Sequence, residues 1–329
     1  MLAGMNSVIR SLCCGALWLA VCQASYGEQI LYQRVPNAEG MKYTYGWLDH
    51  NNNPRKISFV LPLESTQSLP IQQVNYNPNL ALRAVEIALI QAAQEIDPRV
   101  ARFSLTKRYD SLEFSLTGKR QEVINTLQAD LKATQEQAMN SYLAERYFER
   151  YTTPLLQKAI KPNHVRYIEE STLPLIPLAQ SLYEIVDQQA NARSYLNLLL
   201  SWVQSIPYDE LTNRVSSNGS GFSPPLAVLN QNVGDCDSKS VLTAALIRAF
   251  LPANAMRLVL LNNHALLAIA LTPLTKDTTL LIEGLPYVLL DPTGPAHLPL
   301  GEVSDLTKQQ IASLQYTLEV IPPAASPKQ

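Results

Sequence analysis

The chain has 329 residues, 47% hydrophobic and 16% charged, with a formal net charge of -2. That length accommodates roughly two domains. The near-neutral charge excludes a general electrostatic affinity for nucleic acid or anionic membrane, so any partner has to be chosen by a specific site.

Residues 1–27 are expected to be an export signal. Arg10 supplies a positive start, and Ser25-Tyr26-Gly27 places small residues at the cleavage positions. The apolar run SLCCGALWLAVCQA covers about 14 residues, short of the roughly 20 that a membrane span needs. A retained anchor ranks behind cleavage, and a lipidated Cys22 third, because Val21 suits a lipoprotein box poorly. The expected location is periplasmic or secreted, with no stable membrane span. Cys13, Cys14 and Cys22 fall inside the signal, which leaves Cys236 with no partner for an internal disulfide. Taken alone, Cys236 reads equally well as an inert buried thiol or as a nucleophile.

Residues 28–155 are expected to form a smaller α+β domain of unknown role. Gln29 to about Leu63 alternates in a strand-like way around the turn Asn51-Asn52-Asn53-Pro54. A helix is predicted over about Asn79–Glu95, then two short strands, VARFSL and LEFSL, around KRYDS. A long polar helix follows over about Lys119–Arg150. His50 reads as a solvated turn residue. Residues 151–175, with Pro154, Pro162 and Pro174, read as a connector in which VRYIEE is a short strand and His164 lies on the surface.

Residues 156–318 are expected to form the second domain, and 319–329 a disordered tail. Leu196, Leu199, Leu200 and Val203 recur at helical spacing, so ARSYLNLLLSWVQSI is a core-facing helix ending before Pro207. SSNGSGFSPP is a loop of the kind that lines or covers a site. Gly234 then permits a tight turn, and Asp235 caps a helix that begins at Cys236. The thiol would sit where free backbone N–H groups favour negative charge. Asp237 would project about 100° away around the helix, leaving that effect intact.

Downstream, AMRLVLL and HALLAIAL form a hairpin about Asn262-Asn263, with His264 opening the second strand. TLLIEGLPYVLLDPTG turns at Glu283-Gly284 and ends at Asp291. If these strands share a sheet, Cys236, His264 and Asp291 converge as nucleophile, base and orienting carboxylate. His297 is the reserve base. A metal site from Cys236, Asp237, His264 and Asp291 lacks paired Cys or His spacing, and no cofactor is implied.

GDCDSKSVLTAALIRAF, NNHALLAIAL and YVLLDPTG together resemble the Cys, His and Asp motifs of the transglutaminase-like superfamily. WVQSIPYDE is similar to the helix and Pro-Tyr turn that precede the nucleophile in such domains. The likeness spans about residues 160–300. It implies a papain-like fold, with a nucleophile helix packed on an antiparallel sheet, and Cys236, His264 and Asp291 as the triad. Where many members carry an aromatic residue soon after the histidine, this strand continues LLAIAL. The expected activity is hydrolysis of amide bonds in a protein or peptide, with the cell envelope as one source of substrate. The alternatives are transfer of a glutamine acyl group to an amine, or a catalytically silent binding domain. The backbone N–H of Cys236 would stabilise the oxyanion, with Gln231 and then Gln204 as side-chain candidates.

Overall fold

A computed structural model describes residues 27–109, 111–153, 155–186, 191–212 and 221–324. The expected signal therefore lies outside the described residues except for Gly27, as does the first half (216–220) of the Gly/Ser/Pro-rich loop. The architecture is mixed α+β with antiparallel sheets, as expected. Among the described residues no helix is long and apolar enough to cross a membrane.

The chain opens with three antiparallel strands, β1 (Gln29–Asn37), β2 (Gly40–Leu48) and β3 (Pro54–Pro62). Alternation decides which face is buried: Tyr43, Tyr45 and Trp47 of β2 and Ile57, Phe59 and Leu61 of β3 all point inward. A short α1 (Leu63–Thr66) leads to α2 (Pro78–Gln94). The Asn77 side chain caps α2 by accepting from the N–H groups of Asn79 and Leu80, and Pro78 at the helix start has no N–H to leave unpaired.

Next come the hairpin β4 (Ala101–Lys107) and β5 (Leu112–Gly118), α3 (Gln121–Glu145), and the hairpin β6 (Phe148–Thr152) and β7 (Lys158–Pro162). Then α4 (His164–Thr172), α5 (Ile176–Glu184), α6 (Ala192–Ser205), α7 (Pro225–Gln231) and α8 (Cys236–Phe250) lead to the main sheet. Its strands are β8 (Met256–Leu260), β9 (Ala265–Ala270), β10 (Thr279–Ile282) and β11 (Leu285–Leu290). After α9 (Asp305–Ala312), β12 (Thr317–Ile321) completes it in the order β10-β11-β9-β8-β12. Every neighbouring pair is antiparallel.

Several expectations are corrected. VRYIEE is the body of α4, not a strand. Asn163 caps it by accepting from the Arg166 N–H, and Tyr167, Ile168 and Ser171 fall on one buried helical face. The polar helix stops at Glu145, because Tyr147 takes a left-handed conformation (φ 58°) and turns the chain into β6. The connector is thus a hairpin and a helix. The tail is ordered further than expected: Glu319–Ile321 belong to β12, which pairs with β8. The Pro322 and Pro323 carbonyls accept from the Arg248 guanidinium. Residues 325–329 lie outside the described residues.

The expected boundary near 155 does not follow the division of the core. One hydrophobic cluster joins Tyr43, Trp47 and Phe59 of the first sheet to α4–α8 and to the α8-facing side of the main sheet. Trp47 Nε1 donates to Ser201 Oγ at 3.0 Å, and Tyr45 meets Trp202 edge to face at 5.3 Å. A ring of this size removes roughly 150–250 Å² from water, and at about 25 cal/mol per Å² that is ~4–6 kcal/mol per ring. The intervening stretch has its own small clusters, one around Ala81, Tyr142 and Phe148 and one around Val85, Leu89, Leu112 and Leu131. The α2–α3 unit is therefore an excursion from a core that the first 62 residues help to build.

Candidate active site

The helix that carries Cys236 is fixed at its first residue. The Gly234 N–H donates to Pro207 O at 3.2 Å, and the Asp209 N–H to Gly234 O at 3.4 Å. The Pro-Tyr turn after α6 is thereby tied to the segment before α8. A Cβ at Gly234 would stand 3.3 Å from Lys239 Cγ, tighter than a side chain normally tolerates. Asp235 caps α8 by accepting from the Ser238 N–H at 2.9 Å. Cys236 follows as the first helical residue. One turn on, Ser240 Oγ donates to Ala265 O at 3.2 Å, clamping the helix to the start of β9. The Ala265 N–H is near enough to favour the ionised form of the Cys236 sulfur, so the thiol lies close to the residue that follows His264.

β9 and β11 are neighbours in register, Leu267 opposite Leu290. That brings the residue before β9 to the residue after β11: His264 Nε2 and Asp291 Oδ2 are 2.8 Å apart. The carboxylate fixes Nε2 as the protonated nitrogen and leaves Nδ1 as the nitrogen that can exchange a proton with a thiol. Burial pushes the His264 imidazole down, but the bond and charge of Asp291, with Asp237 behind them, outweigh it and raise the group above its ordinary value. Burial likewise raises Asp291, and its bonds and charge interaction with His264, joined by the Thr293 N–H, bring it below the usual carboxylate range. Asp291 is held from behind as well. Its carbonyl accepts from Gln204 Nε2 at 2.7 Å. Lys239, with no exposed surface, donates Nζ to Ile206 O at 2.5 Å and to Thr293 O at 2.6 Å. Burial lowers that ammonium to about 7 against the pull of Asp291 and Asp235.

The thiol departs from expectation. Cys236 Sγ donates to Asp237 Oδ1 at 3.4 Å rather than to the His264 ring. Burial, then the charges of Asp237 and Asp235, push the thiol well above its ordinary value. The two carboxyls are themselves raised, in each case chiefly by burial, with the Asp237 charge adding to the shift at Asp235. The rotation of about 100° between adjacent residues holds for the helix. In the first turn, however, no preceding turn crowds the side chains, and Asp237 swings back over Cys236.

Of the other named residues, the amide of Gln204 is spent on Asp291 O, Leu298 O and His50 Nε2. It braces the orienting carboxylate instead of facing an oxyanion. Gln231 is exposed at the end of α7. His297 packs edge to face against His50, ring centroids 5.0 Å apart, in the group behind Asp291. His50 is half-buried and bonded, not a solvated turn residue.

Three residues that face the thiol were missed in the sequence. His164, taken for a surface residue, is 1% exposed. Its Nε2 stands 3.6 Å from Asp237 Oδ2. Lys161 also lines the site, its ammonium held by Glu149 at 2.5 Å and Glu319 at 2.8 Å. Tyr208, in the Pro-Tyr turn, is raised to about 12 by burial and then by the nearby charges of Cys236 and Asp235, so its hydroxyl stays a donor. The Asn163 cap was the readable signal for His164; nothing local marks Lys161, whose partners come from β6 and β12.

A cavity of about 600 Å³ opens over these groups. Cys236, Asp237, His164 and His264 line it, together with Tyr151 and Gln157 of the β6–β7 hairpin. Among the described residues no three His, Cys, Asp or Glu side chains are grouped so as to hold a metal ion. No protein-family model, curated protein or solved structure matches the chain.

Proposed function

We propose that the chain is an exported cysteine hydrolase of the transglutaminase-like type, with a papain-like fold, that cleaves amide bonds in a protein or peptide through a thioester. One observation carries this reading: the bonded His264–Asp291 pair stands beside the N-terminus of the helix that presents Cys236. In the cycle, the sulfur turns from Asp237 to His264 Nδ1, gives up its proton, and attacks the carbonyl carbon. The Cys236 N–H and the Tyr208 hydroxyl are the donors for the oxyanion. The imidazolium, stabilised by Asp291, protonates the departing amine. Water then adds to the thioester, His264 takes its proton, and the acid leaves as the thiol re-forms. Water, at about 55 M, is the default acceptor, because an amine outcompetes it only where the site is kept dry.

A second reading has its own support. The free thiol is bonded to a carboxylate and held in its protonated form, as a silent binding domain would tolerate. The two separate in parallel assays of casein cleavage and dansyl-cadaverine incorporation, run on the wild type, Cys236→Ala and Asp291→Asn. We expect casein cleavage that disappears in Cys236→Ala and falls by about 10³-fold or more in Asp291→Asn. Amine incorporation without cleavage would make the enzyme a transferase. Neither activity in folded protein, on casein and on short peptides with free and with blocked N-termini alike, would favour the silent domain.

A further inference from the structure

The lining of the cavity holds a polar pair that the triad does not use. Asp237 Oδ2 and His164 Nε2 are 3.6 Å apart, too far to bond each other and close enough for one bound cation to reach both. Neither nitrogen of His164 has a hydrogen-bond partner among the described residues, although the ring is buried and lines the cavity. A buried polar group with no partner calls for an explanation, and a ligand is one. Asp237 keeps 30% of its side-chain surface open. The ammonium that lines the same cavity, Lys161, is already taken by Glu149 and Glu319. His164 remains neutral, because burial and then Lys161 keep it well below its ordinary value. A neutral imidazole has one bare nitrogen, and in the tautomer protonated at Nδ1 that acceptor is Nε2, the nitrogen that faces Asp237.

We infer that Asp237 and His164 form a subsite for a primary ammonium, and that the preferred substrate carries a free α-amino group on the residue whose carbonyl is attacked. This rests on the hydrolase reading above and specifies its substrate class. The distances are compatible. The α-nitrogen of a residue lies ~2.5 Å from its own carbonyl carbon, and a near-attack sulfur lies about 3–3.5 Å from that carbon. Asp237 Oδ1 is 3.4 Å from the sulfur, so one small group can satisfy the carboxylate and the nucleophile together. A lysine ε-ammonium, four methylenes further out, could do so only by folding its side chain back over the carbonyl. Docking has a chemical consequence. The ammonium replaces the thiol as the hydrogen-bond donor to Asp237, frees the sulfur to turn to His264, and adds a positive charge that favours the thiolate. The carboxylate that restrains the thiol at rest is thereby the group that the substrate neutralises.

The test separates binding from turnover. Cys236 is labelled with two methanethiosulfonates, one cationic (aminoethyl) and one neutral (methyl). In each case the thiolate attacks the reagent's sulfenyl sulfur, forms a disulfide and expels methanesulfinate. Rates are normalised to those of a small neutral thiol. We expect the cationic reagent to be favoured by about tenfold or more, with the preference falling to near one in Asp237→Asn and by several-fold in His164→Phe. A normalised ratio near one in the wild type, or a preference unchanged in Asp237→Asn, overturns the subsite. Hydrolysis of a peptide with a free N-terminus is compared in parallel with its N-acetylated form. If labelling shows the preference but neither peptide is cleaved, the hydrolase reading falls and the ammonium subsite stands. If both peptides are cleaved equally and labelling shows no preference, the hydrolase stands and the subsite falls.

Discussion

α3 and α8 both carry polar side chains, yet polarity means opposite things in them. α3 runs for 25 residues and buries only Ile124, Leu131, Tyr142 and Leu143. Its Gln, Glu and Lys side chains are a solvated surface. α8 runs for 15 residues and buries every position from Ser238 to Arg248. Four of its buried polar residues are ties to other segments: Ser238 Oγ accepts from the Ser223 N–H at 2.7 Å, Ser240 binds Ala265 O, Lys239 binds two loop carbonyls, and Arg248 holds Pro322 and Pro323. A buried polar group costs stability unless it is paired. When several occur on one helix, each paired to a different segment, the helix is organising its surroundings. Here it organises the thiol, the histidine strand and the aspartate loop.

The contrast can be broken experimentally. The largest effect should come from Trp47→Ala, at about 3–5 kcal/mol of lost stability by urea denaturation, because this ring joins the first sheet to the helix layer. A loss under about 1 kcal/mol would mean that the first sheet is peripheral. Next is Lys239→Met, which removes the donor from two carbonyls and should cost about 3 kcal/mol. The same substitution should slow any hydrolysis, because the Asp291–Thr293 turn loses its anchor.

A smaller effect is expected from the His264–Asp291 pair, and its sign follows from the shifts. His264 is raised above 6.5, so its contribution is complete below that value and is lost as pH rises through the folded-state value. Asp291 is lowered from 3.8, so its contribution is present above that value and is lost as pH falls through the folded-state value. The difference in Tm between wild type and Asp291→Asn should therefore be greatest between pH 4 and 6.5, at a few degrees, and shrink on either side. A difference that is flat with pH would mean that the pair is not ionised. The smallest effect belongs to α3: Gln128→Ala, at an exposed position, should stay within about 0.5 kcal/mol of wild type.

What could be read directly from the residues was local. Asp235 as a cap, Cys236 as the first helical residue, and the turns at Asn262-Asn263 and Glu283-Gly284 all follow from short-range chemistry, as does the placing of His264 and Asp291 at the ends of strands. What could not be read depends on segments far apart in the chain. Lys161 gains its partner Glu319 across 158 positions, and Gln204 is drawn to Asp291 across 87. Neither pairing leaves a mark on either sequence segment. That the first sheet shares its core with the helix layer is not legible either, because alternation shows that a strand has a buried face without showing what covers it. His164 belongs to an intermediate class: Pro162-Asn163 followed by VRYIEE carries a cap and a helical apolar face, and the prolines drew the reading away from them.

The hydrogen bonds from Tyr32 and Tyr43 to Leu229 and Asn230 span 187–198 positions. Contacts of that reach give a high contact order, and chains that depend on them fold slowly, because a long loop must close before any of its burial is gained. Most of the polypeptide must therefore have emerged before its largest core can close. A nascent or partly threaded chain would then lack the packed helix layer on which the thiol, imidazole and carboxylate are mounted.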